Sequence, residues 1–134
     1  MTDAVVLAVV APILGALVSL FVGLRWDCSG WPVAAVAATL EVGLALVVLL
    51  TVLRDGRTPY ELGGFVPPAG IELVADGLSA PVLVLVAAVS LAVLAYARRA
   101  GPRGNAFYTV YLLLVGGLAG ITLTGDIFNM YVFL

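Results

Sequence analysis

The chain has 134 residues, 63% hydrophobic and 10% charged, with a formal net charge of −2. A soluble domain carries about 25% charged residues, so this composition, with a mean hydropathy of +1.21, excludes a soluble globule and marks an integral membrane protein. The basic residues are Arg25, Arg54, Arg57, Arg98, Arg99 and Arg103, with no lysine or histidine, which removes the usual side chains of zinc sites, histidine bases and Schiff-base chemistry.

The first apolar run covers residues 4–24, "AVVLAVVAPILGALVSLFVGL". It is too long for a signal-peptide core, and the residues before it include Asp3 and nothing basic, so it reads as a retained span. Pro12 lies inside it, which a membrane helix tolerates when neighbours satisfy the freed carbonyl. Gly15, Ser19 and Gly23 recur every four residues, a stripe for close helix contact. Residues 25–32, "RWDCSGWP", read as a tight turn with Trp26 and Trp31 at interface level. Cys28 is the single cysteine, so no intrachain disulfide is possible. It reads as a small apolar residue near a helix end.

The second run, 33–53, carries Glu41 near its middle. Residues 54–75 are a longer connection in which "YELGGF" and "GIELVA" flank "VPPA", the pattern of a β-hairpin lying outside the bilayer. The third run, 78–97, follows "ADGLS", with Asp76 or Ser79 as its N-cap. Residues 98–106, "RRAGPRGNA", are short and basic. The fourth run, 107–124, holds Gly116 and Gly120, a second small-residue pair, and residues 126–134 begin a fifth helix. The expected fold is therefore an all-α integral membrane protein, one membrane domain over residues 1–134. It has four transmembrane helices, the start of a fifth and a small extracytoplasmic hairpin.

Arginine placement sets the expected orientation. The connections at 25–32 and 98–106 share one side and hold Arg25, Arg98, Arg99 and Arg103. The other side holds Arg54 and Arg57, offset by Asp55, Glu61 and Glu72. The arginine-rich side is expected to be cytoplasmic, with the N-terminus and hairpin outside. Scattered arginines and a net negative charge argue against a nucleic-acid partner.

Glu41 is the one carboxylate deep in a span, where an ionised acid costs about 2.5–3.5 kcal/mol on insertion scales. It must be protonated, or face protein or a water-filled cavity. Two readings stay open: a proton or cation relay, or a neutral acid hydrogen-bonded to a neighbouring helix. Asp126 follows Thr124 and Gly125 at a helix start. It is either an N-cap or an acid at the mouth of an ion path. Thr39, Ser90 and Thr122 are expected to hydrogen-bond between helices, with the lining of a polar path as the other reading, and Tyr108, Tyr111 and Tyr131 to pack or lie at the interface. No nucleotide loop, metal cluster or nucleophile triad is present, and no cofactor is expected.

Two stretches carry a resemblance. "ELGGFVPPAGIELVADGLSA", residues 61–80, resembles the hairpin and the start of the third helix of the D-type subunits of Mrp-type cation/proton antiporters. "FYTVYLLLVGGLAGITLTGDIFNMYVFL", residues 107–134, is similar to the fourth helix and the start of the fifth, with "LTGDIFNMYVF" as its most specific part. The resemblance covers the whole chain in register. The wider family includes the antiporter-like proton-pumping subunits of complex I, and residues 61–76 favour the D-type antiporter subunits over those.

The resemblance implies a larger subunit whose later helices form inverted repeats, with the first three helices as an outer scaffold. It implies that the hairpin, here Tyr60, Glu61, Phe65, Pro67 and Pro68, touches a neighbouring subunit. It implies a proton path through a glutamate of the fifth helix, which would follow Leu134, and a lysine of the seventh. The remainder of the D-type subunit, from a longer gene product or a second chain, would then supply that path, and these residues alone would not transport. The implied partners are the other subunits of the complex and the lipid bilayer, and the exchanged ions are sodium and protons. Two alternatives stay open: the same segment of a complex I or membrane-bound hydrogenase pump subunit, and a small self-contained dimeric transporter built on Glu41.

Overall fold

A computed structural model describes residues 3–26, 29–61, 71–102 and 104–134. In chain order these form α1 (Asp3–Arg25), α2 (Gly30–Asp55), β1 (Thr58–Glu61), β2 (Glu72–Ala75), α3 (Ser79–Ala100), α4 (Asn105–Leu123) and α5 (Ile127–Phe133). The helices α1 to α4 are each long and apolar enough to cross a membrane. In a bilayer core only a helix satisfies its own backbone groups within one segment, so each apolar run becomes a single rod. Large apolar side chains stay on the outside, among them Phe21, Leu53, Leu85 and Val110, as a lipid-facing surface requires.

The helices pack as a bundle in which α1 lies against α4 and α2, and α2 also lies against α3. The interior holds two apolar clusters. One joins Val5, Ala8 and Val9 of α1 to Ala45 and Val48 of α2, Leu83 and Ala87 of α3, and Ala119 and Leu123 of α4. The other joins Ala16, Ala34, Ala37, Ala38, Leu94, Tyr108 and Leu112. Small residues allow this closeness. A β-carbon placed on Gly15 would stand 2.7 Å from Ala37 Cβ, and one on Gly116 would stand 2.7 Å from Ile13 Cγ1. One on Gly23 would press on the Asn105 side chain, and one on Gly120 would overlap the Phe133 ring.

β1 and β2 pair antiparallel, with Thr58 opposite Ala75 and Glu61 opposite Glu72. A lone two-stranded hairpin is marginal, and this one is held by the helices. Leu73, Val74 and Ala75 are buried, and Tyr60 packs on the first cluster. Leu73 also bridges to Thr124, and the Gly125 N–H donates to the Glu72 carbonyl at 2.9 Å. Phe65, Pro67 and Pro68 lie outside the described residues. Gly56 ends α2 at φ +78° with its N–H on the Val52 carbonyl, a left-handed stop that glycine adopts without strain.

Two helices run longer than the apolar runs suggest. α2 begins at Gly30 because Pro32 sits in its first turn, where a missing N–H costs nothing. α3 continues through Arg98 and Arg99 to Ala100. Long basic side chains reach water from the last turn of a span, so charge does not end the helix.

Candidate functional site

The buried residues of α2 form one stripe: Ala34, Ala37, Ala38, Glu41, Ala45, Val48 and Val52. Their spacing follows the 3.6-residue helical period, and Glu41 occupies its middle. Glu41 is 1% exposed, and neither carboxyl oxygen has a hydrogen-bond partner among the described residues. Its stripe neighbours Ala37 and Ala38 belong to one apolar cluster and Ala45 and Val48 to the other. The carboxyl therefore stands between two apolar cores.

Contact of Gly15 with Ala37 sets the antiparallel register of α1 and α2, which places Glu41 level with Ala11 and Pro12. The β-carbon of a residue at Gly116 would touch Ile13 and Pro12, so α4 offers its bare backbone at the same depth. Three exceptions to a regular apolar helix thus share one layer. Pro12 lacks a backbone donor, Gly116 lacks a side chain, and Glu41 brings a carboxyl. Ser19, two turns along α1, is also fully buried with an unpartnered hydroxyl. Buried polar groups without partners are rare in native proteins. Chemically, a lone carboxyl in such a layer can accept and release a proton, and among the described residues no group of three or more His, Cys, Asp or Glu side chains is placed to hold a metal ion.

Asp126 is elsewhere. Its Oδ1 accepts the Phe128 N–H at 3.1 Å as the N-cap of α5. Beside it, Asn129 Nδ2 donates to Thr124 Oγ1 at 3.1 Å. The fold does not bring Asp126 and Glu41 together, since the seven helical steps of α4 from Gly116 to Leu123 alone rise about 10 Å. Nearby, an open groove of about 480 Å³ is lined by Arg57, Asp76, Ser79, Thr122 and Thr124 among others.

Asp76 caps α3 from three residues ahead of its start. Its Oδ1 accepts the N–H groups of Leu78 and Ser79 at 2.9 and 2.8 Å, while Ser79 Oγ accepts the Asp76 N–H at 2.8 Å. The bonds from the Ser79 and Leu78 backbone, in that order, hold the carboxyl below its ordinary value of 3.8. The folded state then binds fewer protons than the unfolded chain. The stabilisation is present above about pH 4 and is lost as pH falls through the depressed value. Asp76→Ala is expected to cost about 1 kcal/mol at neutral pH and to flatten the acid limb of stability, read by thermal unfolding in detergent from pH 3 to 7.

The hydroxyls of Thr39 and Thr122 correct the expectation of interhelical bonding. They donate to Ala35 and Leu118 at 2.8 and 2.7 Å, each one turn back in its own helix, the nearest acceptor at membrane depth. A bond that does run between helices is donated by Tyr111 Oη to the Ser90 carbonyl, at 2.7 Å. Tyr108 is buried and packs edge-on to Phe107.

Sequence reasoning passed over Asn105. It joins the two connections at the arginine-rich end: Nδ2 donates to the Gly23 and Trp26 carbonyls at 3.2 Å, and Oδ1 accepts the Gly30 N–H at 2.9 Å. Its helix-start position was the only local signal. At the same end Trp31 Nε1 donates to the Leu94 carbonyl at 3.3 Å, and the Arg98 guanidinium lies 4.2 Å over its ring.

A helical bundle of this kind, with a hairpin stitched to one end and a carboxyl sealed at mid-depth, defines part of a multi-pass membrane protein. No family model matches the chain. It is 34% identical over 140 residues to the D subunit of the Na(+)/H(+) antiporter of Alkalihalophilus pseudofirmus, covering 99% of this chain and 27% of that protein. It is 42% identical over 110 residues to the N subunit of the NADH-quinone oxidoreductase of Desulforudis audaxviator, covering 78% of this chain and 22% of that one. Among solved structures it superposes on a chain of the archaeal membrane-bound sulfane sulfur reductase with TM-score 0.90 and 26% identity, over 99% of this chain and 28% of that one. The Mrp complex of Dietzia sp. DQ12-45-1b gives TM-score 0.85 and 26% identity, over 98% of this chain and 25% of that one. The chain belongs to the family of the D-type subunits of cation/proton antiporters and the related complex I-type subunits, and matches their N-terminal part. It spans about a quarter of the length of these relatives.

Proposed function

We propose that this chain supplies the N-terminal helices of a D-type subunit in a multisubunit sodium/proton antiporter. The observation that carries this reading is the relation to a D-type antiporter subunit along 99% of the chain. In this reading α1 to α3 are scaffold and α4 begins the transporting part. Exchange requires the remainder of the subunit and its partner subunits. Glu41 is the protonatable position of the scaffold, and Asp126 is the acid nearest the hairpin-side mouth of the path. The hairpin, with Tyr60, Glu61, Phe65, Pro67 and Pro68, forms the contact to a neighbouring subunit. Expressing the complete operon in cells that lack their own antiporters tests the proposal. Growth on high sodium is the expected result, and unchanged salt sensitivity with the assembled complex in the membrane counts against it.

The identity of 42% with the N subunit of a NADH-quinone oxidoreductase favours a second reading, in which the same helices belong to a redox-driven pump. Proton movement that requires an electron donor separates it from the first.

The charge pattern supports an orientation. Six of the eight acids, Asp3, Asp55, Glu61, Glu72, Asp76 and Asp126, belong to the hairpin end, and four of the six arginines to the other. By the positive-inside bias the arginine end is cytoplasmic and the N-terminus and hairpin are outside. Cys28, between α1 and α2, is then expected to resist an impermeant thiol reagent in sealed cells and to react in inverted vesicles. The opposite pattern reverses the topology.

A further inference from the structure

We propose that Thr124 is a positioning residue: it fixes α5, and with it Asp126, to the hairpin, so that a displacement of the hairpin reaches α5. The connection from α4 to α5 is a third member of the hairpin sheet. β2 pairs with β1 on one side. On the other, Leu73 bridges antiparallel to Thr124, and the Gly125 N–H donates to the Glu72 carbonyl at 2.9 Å. The fit is close. A β-carbon on Gly125 would stand 2.7 Å from Val74 Cγ2, and Val74 is itself buried, so the connection and β2 move together.

Little else holds α5. It is seven residues long, short of the roughly 12–15 at which an isolated helix becomes even marginal. Ile127, Phe128, Tyr131 and Val132 are exposed, and of the described residues of α5 Asn129 alone is buried. Its Nδ2 donates to Thr124 Oγ1 at 3.1 Å, and that hydroxyl donates in turn to the Asp126 carbonyl at 3.1 Å. Both bonds meet on the residue whose backbone pairs with β2. The far end of α5 rests by Phe133 against Gly120, an apolar and therefore non-directional contact. The buried amide on a hydroxyl supplies the direction, because a satisfied polar pair admits one arrangement. This inference rests on the reading above, in which α4 begins the transporting part and the hairpin touches a neighbouring subunit. Thr124 then carries that contact to the acid nearest the mouth of the path.

The test uses the complete complex, in nanodiscs for amide exchange and in vesicles for flux. Thr124→Val keeps the shape and the strand pairing and removes the hydroxyl. It should speed amide exchange over residues 127–134 about fivefold. It should also raise the KM for sodium by a similar factor, at an unchanged maximal rate per assembled complex, since Asp126 lies at the mouth. Thr124→Ser should match wild type in both. Asn129→Leu, which breaks the same bond from the side of α5, should repeat both changes. Gly125→Ala should speed exchange in β2 and α5 together, and Val74→Ala in the same chain should restore both. A merely structural role would lower the amount of assembled complex and leave the KM alone. Unchanged amide exchange in α5, or a wild-type KM in Thr124→Val, overturns the proposal. A wild-type complex that moves protons only with an electron donor fails the antiporter reading instead, and amide exchange in the same variants still decides the coupling.

Discussion

Replacing Glu41 with leucine is expected to leave the bundle as stable as before, or more stable by about 1–3 kcal/mol, and, in the antiporter proposed above, to abolish exchange. Two carboxyl oxygens without partners each forgo their hydration on burial, and an unmade bond of this kind costs about 1–3 kcal/mol. Leucine has nearly the same bulk and fills the space between the two apolar clusters without that cost. Glu41→Gln should fall on the other side of wild type for stability, because the amide adds donors that find nothing to bond. It should match leucine for exchange, since it cannot carry a proton, with a loss of about 100-fold or more. Thermal unfolding in detergent and sodium-driven proton flux measure the two effects separately. A strong destabilisation by leucine would mean that the carboxyl is bonded in the membrane, by water or by another subunit.

Gly15→Leu is expected to disrupt the bundle, at a cost of about 3 kcal/mol. A β-carbon at Gly15 alone would stand 2.7 Å from Ala37 Cβ, and an alanine methyl has no rotamer by which to withdraw. Ala37→Gly in the same chain should recover part of the loss, because it removes the atom struck first. Gly43 is the control. A β-carbon there meets nothing within 4 Å, so Gly43→Leu should fold normally. Detergent-resistant, monodisperse protein after purification is the readout, and equal yields of Gly15→Leu and Gly43→Leu would contradict the packing described.

Much of this fold is legible in the sequence, because a bilayer leaves an apolar run few alternatives to a helix. The hairpin was also legible, from two β-prone segments around Pro67 and Pro68. Which face of each helix turns inward was not. In water a buried stripe contrasts with a polar face, but lipid makes both faces of α2 apolar, so Val36 and Val48 look alike though one is 71% exposed and the other 1%. The burial of Glu41 therefore came from the structure. The clamp at Asn105 was hidden for a different reason. Its partners Gly23, Trp26 and Gly30 are 75 to 82 residues away in the chain, and a single asparagine at a helix start carries no sign of them. Asp76 was legible as one of two cap candidates, with Ser79, because its partners are its own neighbours.

The central claim, that these helices belong to an ion exchanger whose scaffold carries a protonatable Glu41, is tested most directly by ion flux. The complete complex is placed in inverted membrane vesicles with an imposed pH gradient and no quinone or electron donor. Sodium added to the vesicles should collapse the gradient in wild type, and the collapse should be lost in Glu41→Gln at equal amounts of assembled complex. A gradient that responds to an electron donor and not to sodium, or a Glu41→Gln complex that exchanges at the wild-type rate, would contradict the account.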